Sequence, residues 1–552
     1  MQSLSAIFQC RWKYLVVFVV AVMISIGFCN TSVGDFRSVK FLVPFIILVV
    51  FIQLLLIELL EYCLCSKGRL VYFENLIQLQ DSRKMVIFLL MSWSVYLIAY
   101  FPGVLSFDTS FQLVQFFGNP SRGIFPMTEH ALFTDHHPIF TTFIMGSAIS
   151  LLHSFFSYNF SLWFVCILMA LMQSMLITWQ LRLLSSVINN TKLITLLFLF
   201  YCICPVFGYL CCLPCKDSIF CICLLGFLNT WISLYVKSPS RETFFFFFVF
   251  ALLCALSKKT TVYVFLLLSI ALLFVKIPSK RRVLITLLSI ICLVQIVIPS
   301  FLFPLFSISK GSIIETLGPL YQCTARYCKE FPDDVTREEE QIIDSMLGYD
   351  GLGDRYDYRL ADNVIHYWAG VDQWPSFDKV KAYLNVFIKQ GLRHPDAYIR
   401  AFLSQESGWF SFDEHLFFPE GTGSLLVSTN NGHPSFDRPP VFQSTSFGLH
   451  TALDLIASLP VVGLLFRPVS YLILIILVLI NYVASYKGDC VHSNPLVLWL
   501  CLPILCMIPF LLLSPTSMVS TNMEAVRYFL PFVYSVPILF VVSLNSGSAT
   551  MV

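Results

Sequence analysis

Long apolar runs separated by short polar stretches make up most of the chain. Twelve of them, at 14–29, 41–60, 85–101, 160–180, 193–213, 218–236, 244–257, 260–275, 283–305, 468–485, 494–513 and 525–543, read as membrane spans. A run of about 20 apolar residues, rising 1.5 Å each, crosses a hydrocarbon core about 30 Å thick, and irregular backbone cannot face lipid there. The pattern predicts an all-α polytopic membrane protein of about twelve transmembrane helices with both termini on one side. A further apolar segment, 138–156 (PIFTTFIMGSAISLLHSFF), competes for a thirteenth place.

Charge decides that case. With twelve spans, the basic groups Arg11/Lys13, Lys67/Arg69/Arg83/Lys84, Arg182/Lys192, Lys237/Arg241, Lys276/Lys280/Arg281/Arg282 and Lys487 share one face, the cytoplasmic one by the positive-inside rule. A spanning 138–156 would send four of the six groups to the other face, so it is read as a helix lying in the outer interface. The chain then divides into N-terminal spans (1–101), a first outer loop with the interfacial helix (102–159), a transmembrane core (160–305), a small helical extracytoplasmic domain (306–467) and C-terminal spans (468–552). Arg11, Trp12 and Lys13 precede the first run without a convincing cleavage site, which reads as an uncleaved anchor.

In the large outer loop, Thr336 and Glu339 have the spacing of a capping box. Pro395 suits a first helical position, and Gly391 is placed to close the preceding helix. The segment 452–467 is expected to run along the surface before the tenth span.

Composition agrees: 57% of residues are hydrophobic, 12% are charged, and mean hydropathy is +0.77. A net charge of +2 offers no footprint for nucleic acid. Most of the 19 cysteines sit in apolar runs, where a thiol acts as a small hydrophobe. Cys323 and Cys328 are too far out of phase on one helix to bridge.

Polar chemistry collects at the outer ends of the spans. Asp108, in PGVLSFDTSFQ, follows the third span and is flanked by Ser106, Thr109 and Gln112. A carboxylate there suits a general base or a divalent-cation ligand, and equally a helix N-cap. The TDHHP cluster places Asp135, His136 and His137 at a helix start, where unpaired N–H groups and the macrodipole favour an anionic phosphate. Asp108, Asp135 and His136 would be the ligands of a cation, which is neither required nor specified, since no zinc spacing accompanies them. Simple capping is the plainer reading of the histidines.

Lys216, Lys258/Lys259 and Arg527 lie at outer span ends, where phosphate binding competes with snorkelling and with local pairing to Asp217 or Glu524. Trp368, Trp374 and Trp409 stack on sugars or, more plainly, fill the core of the outer domain. The acidic run 333–340 is a solvated helix face, and the N-x-Ser/Thr sites at Asn30, Asn159 and Asn190 say nothing without a host.

The ordered motifs PGxxSxDTxxQ, DHHP, PCKDSIF, YQxTARYxKEFPDDVTxEE and EAVRYFLPFVYSVP, spread over about residues 95–540, resemble a largely uncharacterised family of bacterial membrane proteins. That family in turn resembles the GT-C glycosyltransferases, which include the protein mannosyltransferases and the lipid A aminoarabinose transferases. The resemblance implies a GT-C-like bundle with outer juxtamembrane helices over a cavity for a polyprenyl-phosphate sugar. Asp108 would be the base, His136, His137, Lys216, Lys258 and Arg527 would hold the donor phosphate, and Gln112, Asp135, Asp217 and Arg326 would support them. The acceptor would be a cell-envelope glycan or glycolipid. Two departures stand out: two extra spans precede the first loop, and a His pair replaces the usual Lys-Pro or Arg-Pro. The rival readings are a polysaccharide polymerase or ligase, with essential Arg and His in 306–467, and a lipid-linked glycan flippase or other transporter.

Overall fold

Apolar segments in lipid must close their own main-chain hydrogen bonds, and about 80% of the described residues are helical. The structure is a computed structural model that describes residues 74–75, 77, 81–118, 128, 130–236, 239–275, 279–312, 317–365, 374–412, 414, 416, 436, 438–459, 462–487, 495–515 and 526–545. The expected spans 14–29 and 41–60, Trp368 and Glu524 lie outside these residues.

In order come α1 (Ser82–Ala99), α2 (Phe107–Phe116), α3 (Ile139–His153), α4 (Tyr158–Ser185), α5 (Thr191–Ile203), α6 (Pro205–Cys211), α7 (Lys216–Val236), α8 (Arg241–Ser257), α9 (Thr260–Phe274) and α10 (Lys280–Leu305). The large loop supplies α11 (Gly318–Glu330), α12 (Arg337–Leu347), α13 (Phe377–Arg393), α14 (Pro395–Glu406) and α15 (Pro440–Ser458). The chain returns through α16 (Pro468–Lys487), α17 (Pro495–Leu511) and α18 (Val526–Leu544). Among the described residues five helices, α1, α4, α7, α10 and α18, are long and apolar enough to cross a membrane, and α5 with α6 makes a sixth if counted as one bent span. The protein is an all-α membrane protein.

Three expectations are refined. The run 193–213 is not one helix: Pro205 forces the preceding Cys204 into extended backbone, and α5 and α6 meet at a 50° bend. In α10 the hydrogen-bond pattern widens to a π-helix over Leu293–Leu302, around Pro299, which has no N–H to give. Gly391 does not end α13, which continues to Arg393; instead the Tyr398 ring lies 3.1 Å from where a Cβ would stand, so the glycine serves close helix packing.

α7 is buried almost all round and forms the bundle axis. Trp231 on α7 and Trp499 on α17 stack with parallel rings at 3.8 Å, and each indole N–H donates to the other's carbonyl, at 2.9 and 2.7 Å. The helices of the large loop have a separate core built from Tyr321, Ala325, Ile343, Met346, Tyr383 and Val386. The capping box of Thr336 and Glu339 is present, Pro395 occupies the first turn of α14, and Cys323 and Cys328 are free on the continuous α11. Trp409, Leu453, Ala457 and Phe466 pack instead into the main core with the long helices, so the end of the large loop folds back onto the bundle.

Helix α3 has 15 residues, about 22 Å at 1.5 Å each, short of a hydrocarbon core about 30 Å thick. Phe143, Ile144 and Leu151 remain exposed, while Thr141, Thr142, Met145, Gly146 and Ile149 pack inward. Gly146 is required there, because the Phe116 ring of α2 sits 2.1 Å from the position a Cβ would take.

Candidate functional site

Two tethers bring the segment between α1 and α2, with the first turn of α2, onto the turn ahead of α7. The Val104 N–H donates to the Cys212 carbonyl at 2.7 Å, and the Thr109 hydroxyl donates to the Pro214 carbonyl at 3.2 Å. They place the start of α2, with Asp108, beside Lys216 at the head of α7. Asp108 does not cap α2: Ser106 does, accepting from the Thr109 N–H, and the helix begins at Phe107. The Asp108 carboxylate is left for tertiary contacts.

Those contacts are cationic. The Lys216 ammonium donates to Asp108 Oδ2 at 2.7 Å, the Arg527 guanidinium, from the first turn of α18, donates to the same oxygen, and His137 Nε2 lies 3.7 Å from Oδ1. Lys216 Nζ also stands 2.9 Å from His137 Nδ1. A lysine ammonium has only donors, so Nδ1 accepts and the neutral imidazole carries its proton on Nε2, toward Asp108. Burial pushes the Asp108 carboxyl up, but Arg527 and Lys216 prevail and hold it well below the usual carboxylate range. Burial, reinforced by Lys216, lowers His137 well below its ordinary 6.5 and keeps the ring neutral.

The helix contact that delivers His137 is legible in detail. Gln112 lies four residues beyond Asp108 on the same face of α2. Its amide donates to Thr141 Oγ1 and Thr142 Oγ1, at 2.8 and 2.9 Å, in the first turn of α3. Asp135 caps α3 by accepting from the Ile139 N–H at 3.0 Å, so the helix opens just after Pro138, which stands at the N-cap. His136 meets the His137 ring edge-on, with centroids 4.7 Å apart.

A second ion pair adjoins the first. Lys258, where α8 ends, contacts Asp217 at 2.8 Å and donates to the Arg527 carbonyl at 3.5 Å, with its ammonium over the rings of Phe220 and Tyr528. In place of a local pair of Lys216 with Asp217, one of the readings open from sequence, stand crossed pairs, Lys216 with Asp108 and Lys258 with Asp217. Consecutive residues on a helix point about 100° apart and cannot both face one partner. Asp135 pairs with the neighbouring Lys259 at 3.0 Å, which also donates to the Asp135 carbonyl.

Not every expected residue joins this cluster. Arg326 is engaged within the helices of the large loop, with Glu330 at 2.8 Å and with Tyr356 and Ser404 at 3.3 Å. Trp409 is buried against Phe529, as core packing requires, and Trp374 donates to the Lys310 carbonyl. Among the described residues no three His, Cys, Asp or Glu side chains are placed to share a metal ion. Asp108 faces the cations Lys216 and Arg527.

Two buried ionisable side chains escaped the sequence reading. Arg438 reaches back from the large loop to donate to the Gly103 carbonyl and Ser446 Oγ, each at 3.1 Å. Glu406 accepts from the Trp409 indole at 2.8 Å, and burial holds its carboxyl well above the ordinary range. The three-residue spacing of Glu406 and Trp409 is a legible signal for that pair; Arg438 has none.

Beside Lys258 opens an apolar groove between α7, α9, α17 and α18, with a cavity volume of about 50 Å³. Phe220, Phe265, Met507 and Tyr528 line it, with Thr261, whose buried hydroxyl has no hydrogen-bond partner among the described residues.

No curated protein and no solved structure matches the chain. Residues 73–550 match the model of a family of unknown function, DUF6020, and the chain belongs to that family.

Proposed function

We propose that this protein is a membrane glycosyltransferase that moves a sugar from a polyprenyl-phosphate donor to an extracytoplasmic cell-envelope glycan or glycolipid. The observation that carries the reading is the buried cluster of Asp108, Lys216, Arg527 and His137, adjoined by Lys258 and Asp217. Three cations against two carboxylates leave one positive charge, which suits the single negative charge of a phosphodiester. The groove beginning at Lys258 supports a donor with an apolar tail, its phosphate at the cations and its chain among Phe220, Phe265 and Met507.

In this reading the acceptor oxygen attacks the anomeric carbon and the bond from that carbon to the phosphate oxygen breaks. The acceptor proton passes to Asp108, and Lys216 and Arg527 stabilise the charge growing on the leaving phosphate. His136 and Lys258 flank the phosphate, and Gln112, Asp135 and Asp217 hold the elements that present it. Arg326 is assigned to the outer helices.

The chain would be a GT-C-like bundle of about twelve spans, with cytoplasmic termini and an outer site. Lys258 ends the helix that Arg241 begins, about 25 Å away at 1.5 Å per residue, so the site and the basic groups occupy opposite helix ends. A polymerase or ligase centred on the large loop is less well supported, because Arg326 and His394 are occupied by Glu330 and by Phe331 and Asp334.

A flippase or other transporter draws on the bent α5–α6 pair and on polar residues within helices. Those residues are spent on helix contacts, however: Gln173 bonds the Phe207 carbonyl and Tyr534, Gln180 accepts from Tyr201, and Asn229 donates to the Leu176 carbonyl.

The test is the composition of surface polymers, by mass spectrometry, in cells with the gene, without it, and with Asp108→Asn or His137→Ala at wild-type level. Loss of one glycan feature in the deletion and in both variants is expected; unchanged polymers throughout would sink the assignment.

A further inference from the structure

Resting on the transferase reading, we infer that Asp108 occupies the donor's phosphate site when the site is empty, and that an arriving phosphodiester takes Lys216 and Arg527 from it, thereby switching the carboxylate on as a base. The contact geometry is the ground. Lys216 Nζ and Arg527 Nη1 both donate to one oxygen of Asp108, as two donors would hold one phosphate oxygen. A carboxylate clamped in this way cannot draw a proton from a hydroxyl. The cations cannot serve the carboxylate and a second anion fully at once.

Once the cations turn to the phosphate, Asp108 keeps its burial and loses its main opposing charges. Its proton affinity then rises, because burial alone disfavours the charged form. The groups facing it are Lys216, Arg527 and His137, with Lys258, Asp217 and His136 behind them. Transfer balances: the acceptor oxygen bonds the anomeric carbon, the carbon–phosphate oxygen bond breaks with its electron pair on the phosphate, and the hydroxyl proton ends on the released Asp108. A base switched on by the donor remains idle toward water until a sugar is in place.

The probe is dihexyl phosphate, a phosphodiester that keeps one negative charge across the pH range used. Titration calorimetry of the full protein in nanodiscs at pH 5.5, in two buffers of different ionisation enthalpy, gives both affinity and protons taken up. Wild type should take up a fraction of a proton on binding. His137→Gln should retain that uptake, which separates Asp108 from the imidazole. Asp108→Asn should lose it and bind about tenfold more tightly, because the competing occupant is gone. Asp217→Asn, which removes equal charge from the neighbouring pair, should retain the uptake. Uptake that survives in Asp108→Asn, vanishes in His137→Gln, or is absent from a binding wild type overturns the switch alone. No binding by any of the four proteins overturns the phosphate site beneath it. Should Asp108→Asn not fold, wild type against His137→Gln still decides.

Discussion

Breaking the Asp108 cluster should cost stability in an amount the structure sets. The side chains of Asp108, Lys216 and Arg527 are 8%, 18% and 17% exposed, so the charges are poorly hydrated. At 2.7 Å and an effective dielectric of ~20, the Lys216–Asp108 attraction is about 6 kcal/mol gross, and desolvation offsets much of it. Asp108→Asn leaves two cations facing each other and should cost about 3–5 kcal/mol. Arg527→Gln in that background should cost little more, giving a coupling energy of about 2–3 kcal/mol in a double-mutant cycle. The assay is reversible unfolding in mixed micelles at fixed lipid ratio, for wild type, both single variants and the pair. Because Asp108 is depressed in the folded state, its contribution is present above the unfolded carboxyl value, near 3.9, and is lost only as pH falls below that. The Asp108→Asn cost should therefore be flat between pH 5 and 8. Coupling below about 0.5 kcal/mol would mean that these side chains do not meet, and the site as described would be wrong.

The remaining predictions follow from single contacts. His137 is held neutral, so only the unfolded chain takes a proton as pH falls below 6.5; stability should drop by up to about 1.4 kcal/mol per pH unit there, and His137→Gln should remove that slope in the same unfolding assay. Gly146→Ala should destabilise by about 1–3 kcal/mol through the Phe116 ring, and adding Phe116→Ala should restore part of the loss. Thr336→Ala should cost about 1 kcal/mol by removing the cap of α12, read as faster hydrogen exchange in the helices of the large loop. Ser157→Cys, between α3 and α4, should react with an impermeant maleimide on whole cells; labelling only after lysis would make 138–156 a true span.

The helical and apolar character of the chain, the capping box, the free thiols of the apolar runs and the concentration of Asp, His and Lys at one set of helix ends were legible in the sequence. Each depends on local spacing: periodicity, a three-residue cap or a charge at the edge of an apolar run. What only the tertiary structure decided was partnership. Asp108 and Arg527 are 419 residues apart, and nothing in either neighbourhood selects the other. Asp108 looked equally like a helix cap, a local pair of Lys216 with Asp217 was one reading among three, and Arg326 stood with Arg527 as a weaker candidate for the phosphate. Helix docking reassigned all three, because an ion pair forms where packing brings side-chain ends within about 3 Å, and Gln112, Thr109 and Gly146 set that packing. The sequence alone determined that charged chemistry gathers at one end of a membrane bundle, and the docking of α2 against α3, α7 and α18 decided that a single carboxylate sits at its centre, held by two cations.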